Sequence, residues 1–275
     1  MRNIEQRYRE FLPESRRVIV KIGTRVIAQP SGRPDLARLR KIVRQLAALQ
    51  NRGYQVLVVT SGAIGAGMEI LGLKERPTAV PDLQMCAAVG QARLMAHYEE
   101  FFGKEKRLVG QVLLTHADLQ HRIRTANVRR TLEHLLRAGV IPVINENDVV
   151  ADEEIKADLS LGDNDFLASL IVKLVRADLL ILLSTVDGVL APTGPRNAMR
   201  RLPCIEQFNQ EIFKLIMPPA AGGISKGGMD SKLTAAQSAA KSGCTVVIAN
   251  GRQDNVLTDC LDGKDVGTLI LSTVL

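Results

Sequence analysis

Three lysines and one polar stretch stand out as side chains that could do chemistry. Lys21 lies inside VIVKIG (18–23), an otherwise apolar run, and a lysine there is costly to bury unless an anion meets it. Lys226 and Lys232 lie in AAGGISKGGMDSK (220–232), a glycine cluster that leads into the helix-forming run SKLTAAQSAAKSG. Glycine amides, a helix N-terminus and lysines together make a cradle for a polyphosphate. A lone glycine loop of this kind is as easily a flexible surface loop. Between these cations, NENDVVADEEIKADLSLGDND (145–165) gathers eight acidic residues and three asparagines. Its flanks, VIPVI (140–144) and FLASLIVKLV (166–175), read as a buried strand and a buried helix, so a plain solvated loop is the less comfortable reading. Lysines that neutralise charge around a positioned phosphate are the logic of phosphoryl transfer. A second glycine cluster, TSGAIGAG (60–67), either brings backbone N–H groups to an anion or makes a tight turn. Its G-x-x-G-x-G spacing is not the dinucleotide G-x-G-x-x-G, and no G-x-x-x-x-G-K-[ST] occurs in the chain, which demotes Rossmann and P-loop chemistry.

These residues need strands and helices to position them, and the apolar periodicity supplies both in alternation. Strands are expected at 18–23, 55–60, 107–115, 140–144, 178–184, 244–249 and 267–273. Helices are expected at 35–53, 82–102, 125–138, 164–176 and 228–242. Alternating strands and helices imply a three-layer α/β/α sandwich with a mostly parallel central sheet, whose strand carboxyl ends carry function. Residues 1–17 are expected to form an N-terminal extension. The stretch 185–225, rich in Pro, Gly and polar residues, is where a lid or second lobe could begin.

Composition narrows the class further. Of 275 residues 46% are hydrophobic and 24% charged, ordinary for a soluble globular protein. Aromatics are 3% and Trp is absent, which argues against base-stacking platforms for nucleic acid. The net charge of +7 permits an anionic partner but is spread along the chain; its densest run, HRIRTANVRR (121–130), reads as the exposed side of a helix. Cys86, Cys204, Cys244 and Cys260 are far apart with no CxxC pairing, so neither a disulfide framework nor a zinc site is expected. The N-terminus has no secretory h-region, and no run nears the roughly 18 apolar residues of a membrane span. A soluble, cytoplasmic protein with no membrane or nucleic-acid partner is the expectation.

KIGT, VTSGAIGAG, AAVGQARLM, GQVLLTHAD, IPVINENDVV, LGDNDFLASLIV and GGMDSKLTAA, in this order over about residues 18–250, resemble the glutamate 5-kinase branch of the amino acid kinase superfamily. The NEND and GDND pair is specific to that branch and speaks against N-acetylglutamate and uridylate kinases. The resemblance implies the amino acid kinase fold and ATP-dependent phosphorylation of the L-glutamate side-chain carboxylate, the entry to proline biosynthesis. By the same resemblance about 18–175 would be a substrate lobe and about 176–275 a nucleotide lobe. Mg²⁺ would ride on ATP, with no metal site in the protein. Carried over residue by residue, Lys21 and Lys232 resemble the pair that neutralises the transferring phosphoryl group, and Asp165 the carboxylate that orients them. Ser61, Asp148 and Asn164 resemble the glutamate-binding residues, with Asn145 a helper and Gly62 and Ala63 offering backbone N–H groups. Lys21, Ser184, Thr185 and the segment Ser225, Lys226, Gly227, Gly228, Met229, Asp230 and Ser231 resemble the ATP-binding residues. The middle of the polar stretch, DEEIKADLS, would be a flap.

Further partners implied are proline as a feedback inhibitor, a second copy of the chain in a homo-oligomer, and glutamyl phosphate reductase as the consumer of the product. Two departures stand out. The family's nucleotide loop usually reads G-T-G-G-M, where this chain has SKGGM with Ser225 and Lys226. Many members also carry a C-terminal PUA domain, for which GTLILSTVL near the chain's end leaves no room. A catalytically silent glutamate or proline sensor is the alternative from another class; it would not require Lys21, Lys232 and Asp165 together.

Overall fold

The computed structural model describes residues 4–150, 163–193, 198–208, 212 and 228–272. Eight strands form one sheet: β1 (Arg17–Ile22), β2 (Gln55–Val59), β3 (Leu108–Leu114), β4 (Val140–Glu146), β5 (Leu179–Ser184), β8 (Cys204–Ile205), β9 (Thr245–Asn250) and β10 (Thr268–Ile270). Their spatial order is β3-β4-β2-β1-β5-β9-β10-β8. From β3 to β9 every pairing is parallel; β10 turns antiparallel to β9, and β8 pairs parallel to β10. A separate antiparallel hairpin, β6 (Leu190–Thr193) with β7 (Ala198–Arg201), stands in the stretch 185–225 where a lid or second lobe could begin.

Parallel strands are buried on both faces, so they read as unbroken apolar runs. LLILLS is of this kind, and RVIVKI departs from it inside the sheet only at Lys21. Side chains alternate between faces, and the two cores divide β1 accordingly: Val18, Val20 and Ile22 join the layer under α2 (Leu36–Asn51) and α4 (Val80–Lys104), while Ile19 joins the layer under α7 (Asp163–Val175) and α8 (Met229–Lys241). The α2 helix starts where Asp35 caps it, accepting from the Arg38 N–H at 2.9 Å. The three-layer sandwich is as expected, and its helices and strands fall within a few residues of the periodicity.

Among the described residues, four α-helices were not legible, nor were the short strands β6, β7 and β8. The N-terminal extension contains a helix, α1 (Ile4–Phe11), whose Arg9 is 4% exposed and donates to the carbonyls of Lys264, Val266 and Pro203, pinning the chain's start to the loop before β10. TSGAIGAG is mostly helix, α3 (Ala63–Ile70). A short α5 (His116–Gln120) opens with a capping box at Thr115, and α6 (Arg122–Arg137) follows. Last comes α9 (Val256–Leu261). Among the described residues no helix is long and apolar enough to cross a membrane, and Cys86, Cys204, Cys244 and Cys260 are free.

Candidate active site

Lys21 is the next-to-last residue of β1, between Val59 of β2 and Leu182 of β5, and is 4% exposed. A buried ammonium needs an anion. Asp165, in the first turn of α7 and 1% exposed, supplies it: Lys21 Nζ lies 2.7 Å from Asp165 Oδ1. Lys232 of α8, 9% exposed, donates to the other oxygen, Oδ2, at 2.8 Å. The Ser231 hydroxyl lies 3.1 Å from the same oxygen. Burial alone would raise the Asp165 carboxyl, but the charges of Lys21 and Lys232 outweigh it and hold it below the ordinary carboxylate range. Two ammoniums and one carboxylate therefore form a fixed, net-positive cluster at the strand ends.

Beside it lies a polar pocket. Asn145, the sixth residue of β4, is 2% exposed and accepts through Oδ1 from Asn164 Nδ2 at 3.1 Å. Asn164 Nδ2 also donates to Ser61 Oγ at 2.7 Å, tying the ends of β2 and β4 to the start of α7. Asp148 is half-buried in the turn after β4. Gly62 caps α3 with φ 110°, a left-handed conformation that favours glycine, and α3 begins at Ala63. The other glycines of TSGAIGAG serve packing. A Cβ on Gly67 would stand 1.8 Å from the Cys86 carbonyl oxygen, and one on Gly90 of α4 would stand 1.8 Å from that of Ala63. The cluster is thus both a tight turn and a close helix crossing, and it sets the N-terminus of α3 at the pocket.

All these groups face one open cleft of about 610 Å³. Lys21, Lys232, Asp165, Ser61, Gly62, Ala63, Asn145, Asp148, Asn164, Ser184, Thr185, Gly228, Met229 and Ser231 line it. Asp230, in the first turn of α8, lies outside that lining. Ser225, Lys226 and Gly227, and the DEEIKADLS flap, lie outside the described residues. The cleft also takes in residues that sequence reasoning missed: the exposed Arg25 and Arg76, and an apolar strip of Val186, Leu190 and Met199. Arg25 directly follows KIGT and could have been flagged; Arg76, in LKERPTAVPD, carries no local signal. Among the described residues no group of three or more His, Cys, Asp or Glu converges as a metal cage would require.

A buried lysine pair held by one aspartate at the strand ends of a three-layer sandwich is a setting for phosphoryl transfer. The sequence pattern of the Amino acid kinase family matches residues 16–250. Glutamate 5-kinase of Thermoanaerobacter sp. (strain X514) is 45% identical over 257 residues, covering 93% of this chain and 68% of that protein. Glutamate 5-kinase of Clostridium acetobutylicum is 40% identical over 264 residues, covering 95% and 97%. The T. acidophilum isopentenyl phosphate kinase structure aligns with TM-score 0.61 at 17% identity, covering 92% of this chain and 99% of that one, and so shares the fold. The chain belongs to the amino acid kinase family and, within it, to the glutamate 5-kinases.

Proposed function

We propose that this protein transfers the γ-phosphoryl group of ATP to the side-chain carboxylate of L-glutamate, giving L-glutamyl 5-phosphate and ADP. The reaction is the first step of proline biosynthesis. A glutamate side chain has an ordinary pKa near 4.3, so the acceptor is already ionised at neutral pH and needs no general base. The barrier is instead electrostatic, because an anionic oxygen must approach an anionic phosphate. The observation that carries the reading is the convergence of Lys21 and Lys232 on one buried carboxylate, at 2.7 and 2.8 Å, beside a pocket of amides.

Lys21 and Lys232 face the transferring phosphoryl group and offset its charge as the carboxylate oxygen bonds to phosphorus and the bond to ADP breaks. Asp165 keeps both ammoniums ionised and in place. Asp148 takes the substrate ammonium, Ser61, Asn145 and Asn164 its other polar atoms, and the N–H groups of Gly62 and Ala63 an anionic end. Ser184, Thr185, Gly228, Met229 and Ser231 line the nucleotide side, with Ser225, Lys226, Gly227 and Asp230 assigned by resemblance. Mg²⁺ arrives on the nucleotide, as part of the MgATP substrate. Feedback by proline, a homo-oligomer, hand-over to glutamyl phosphate reductase and a cytoplasmic location belong to the same reading. An ATP-consumption assay tests it: turnover is expected with glutamate and only at a small fraction of that rate with aspartate or N-acetylglutamate. Equal turnover with N-acetylglutamate would replace the acceptor.

A further inference from the structure

We propose that Gln91 is a positioning residue that sets which end of the Asn164 amide meets the substrate, and thereby selects a free α-ammonium. The inference rests on the reading above, that glutamate is the acceptor. Gln91 belongs to α4 and is not among the residues lining the cleft. Its Oε1 accepts from Asn145 Nδ2 at 2.8 Å. Asn145 then has only its Oδ1 to offer Asn164, and it accepts there from Asn164 Nδ2 at 3.1 Å. Asn164 Nδ2 reaches Ser61 Oγ as well, at 2.7 Å. Asn164 and Asn145 therefore run in one sense, each spending its N–H₂ on the neighbour toward Gln91.

The sense has a consequence at the far end. Asn164 Oδ1 is buried without a hydrogen-bond partner, in a residue that lines the cleft, and Asp148 lines the same cleft. A buried carbonyl left unpaired calls for a donor. A carbonyl oxygen and a carboxylate both accept, so together they suit a cationic N–H group and not an acylated nitrogen that has lost its charge. Were the amides reversed, Asn164 would turn its N–H₂ outward and repel the ammonium. The Ser61 hydroxyl either donates or accepts, so it cannot hold the sense. Gln91 can: while its oxygen faces Asn145, the order of the other two amides follows. Its own Nε2 is buried without a partner as well, so nothing at that end is lost if an oxygen replaces it.

The experiment compares wild type with Gln91→Met, which fills the space without an acceptor, and Gln91→Glu, whose ionised carboxylate can only accept. Steady-state kinetics are measured with glutamate and N-acetylglutamate. Gln91→Met is expected to raise the glutamate KM at least tenfold with kcat and ATP KM within about twofold. It should also narrow the preference for glutamate over N-acetylglutamate, in kcat/KM, by about tenfold. Gln91→Glu should stay within about threefold of wild type in both. A Met variant with unchanged glutamate KM and preference overturns the proposal, as does a Glu variant as impaired as the Met variant. So does an equal loss in kcat or ATP affinity. Should Gln91→Met fail to fold, Gln91→Asn, one methylene too short to reach Asn145, must show the same losses. Calorimetric titration of glutamate without ATP separates the two readings. A wild type that binds glutamate without turnover refutes the proposed reaction and leaves Gln91 to be judged on binding; one that does not bind it refutes both.

Discussion

Replacing Asp165 by Asn would remove the one carboxylate that two buried lysines share. The side chains of Lys21, Lys232 and Asp165 are 6%, 11% and 1% exposed, so water cannot take over the lost charge. Removing one partner of a buried ion pair typically costs about 3–5 kcal/mol. Asparagine keeps the shape and one acceptor oxygen, which favours the lower end, about 3 kcal/mol. Denaturant unfolding without ligand reads the loss, and added ATP should recover part of it, because in the proposed reaction its phosphates meet the same ammoniums. The pH dependence follows from the sign of the shift. The folded Asp165 carboxyl titrates below its ordinary 3.8, so its contribution is complete above that value and is lost only as pH falls through the lower, folded one. The stability difference between wild type and Asp165→Asn should thus be constant from pH 7 to 5 and shrink below about pH 4. A loss under about 1 kcal/mol, or a difference that already fades between pH 7 and 5, would refute the ionised, shared carboxylate.

Three further perturbations probe the same cleft. Lys21→Met or Lys232→Met should lower kcat roughly 10²-fold or more in the ATP-consumption assay, the scale for losing one preorganised charge stabiliser. Asp148→Asn should raise the glutamate KM at least about tenfold, one charge-assisted contact, while nucleotide binding by calorimetry stays unchanged. Gly90→Ala would set a Cβ 1.8 Å from the Ala63 carbonyl oxygen and 2.3 Å from the Gly67 nitrogen. It should cost about 1–3 kcal/mol in thermal unfolding and raise the glutamate KM, because α3 must move off α4 and takes Gly62 and Ala63 with it.

What the sequence let a reader see follows from where each signal resides. The strands of the parallel sheet were legible because burial on both faces leaves no choice but continuous apolar residues. The α3 helix was hidden because AIGAGMEI carries two glycines, which lower helix propensity; the helix exists through close backbone packing of its Gly67 against Cys86 of α4 and of Gly90 of α4 against Ala63, a tertiary contact. The polar α1 helix was hidden likewise, held through a buried Arg9 by carbonyls more than 190 residues away. Within the site, Lys21 announced itself as a cation in a strand, and the acidic stretch as polarity where a core strand ends. That Asp165, among eight acidic residues in that stretch, is the one both lysines share could not be read from spacing, since it depends on α7 and α8 packing side by side. Gln91 lies within AAVGQARLM, one of the stretches that carry the resemblance, but nothing local says that its amide faces Asn145.

The strand order itself argues for the direction of transfer. Lys21 stands on β1, with β2 and then β4 on one side and β5 and then β9 on the other. The carboxyl ends of β2 and β4 carry Ser61, Asn145 and Asp148, the proposed acceptor groups. The end of β5 carries Ser184 and Thr185, the proposed nucleotide groups, and α8 brings Lys232 from the nucleotide half of the chain. Among the described residues the proposed acceptor and donor groups therefore meet along the line of β1, and in that reading the group passing between them passes Lys21. Asp165 reaches that line from α7, the helix that follows the acceptor strand β4, and clamps one lysine from each half. A single buried carboxylate thus ties the two halves of the cleft to a common point, and in the proposed reaction that point is where the phosphoryl group changes hands.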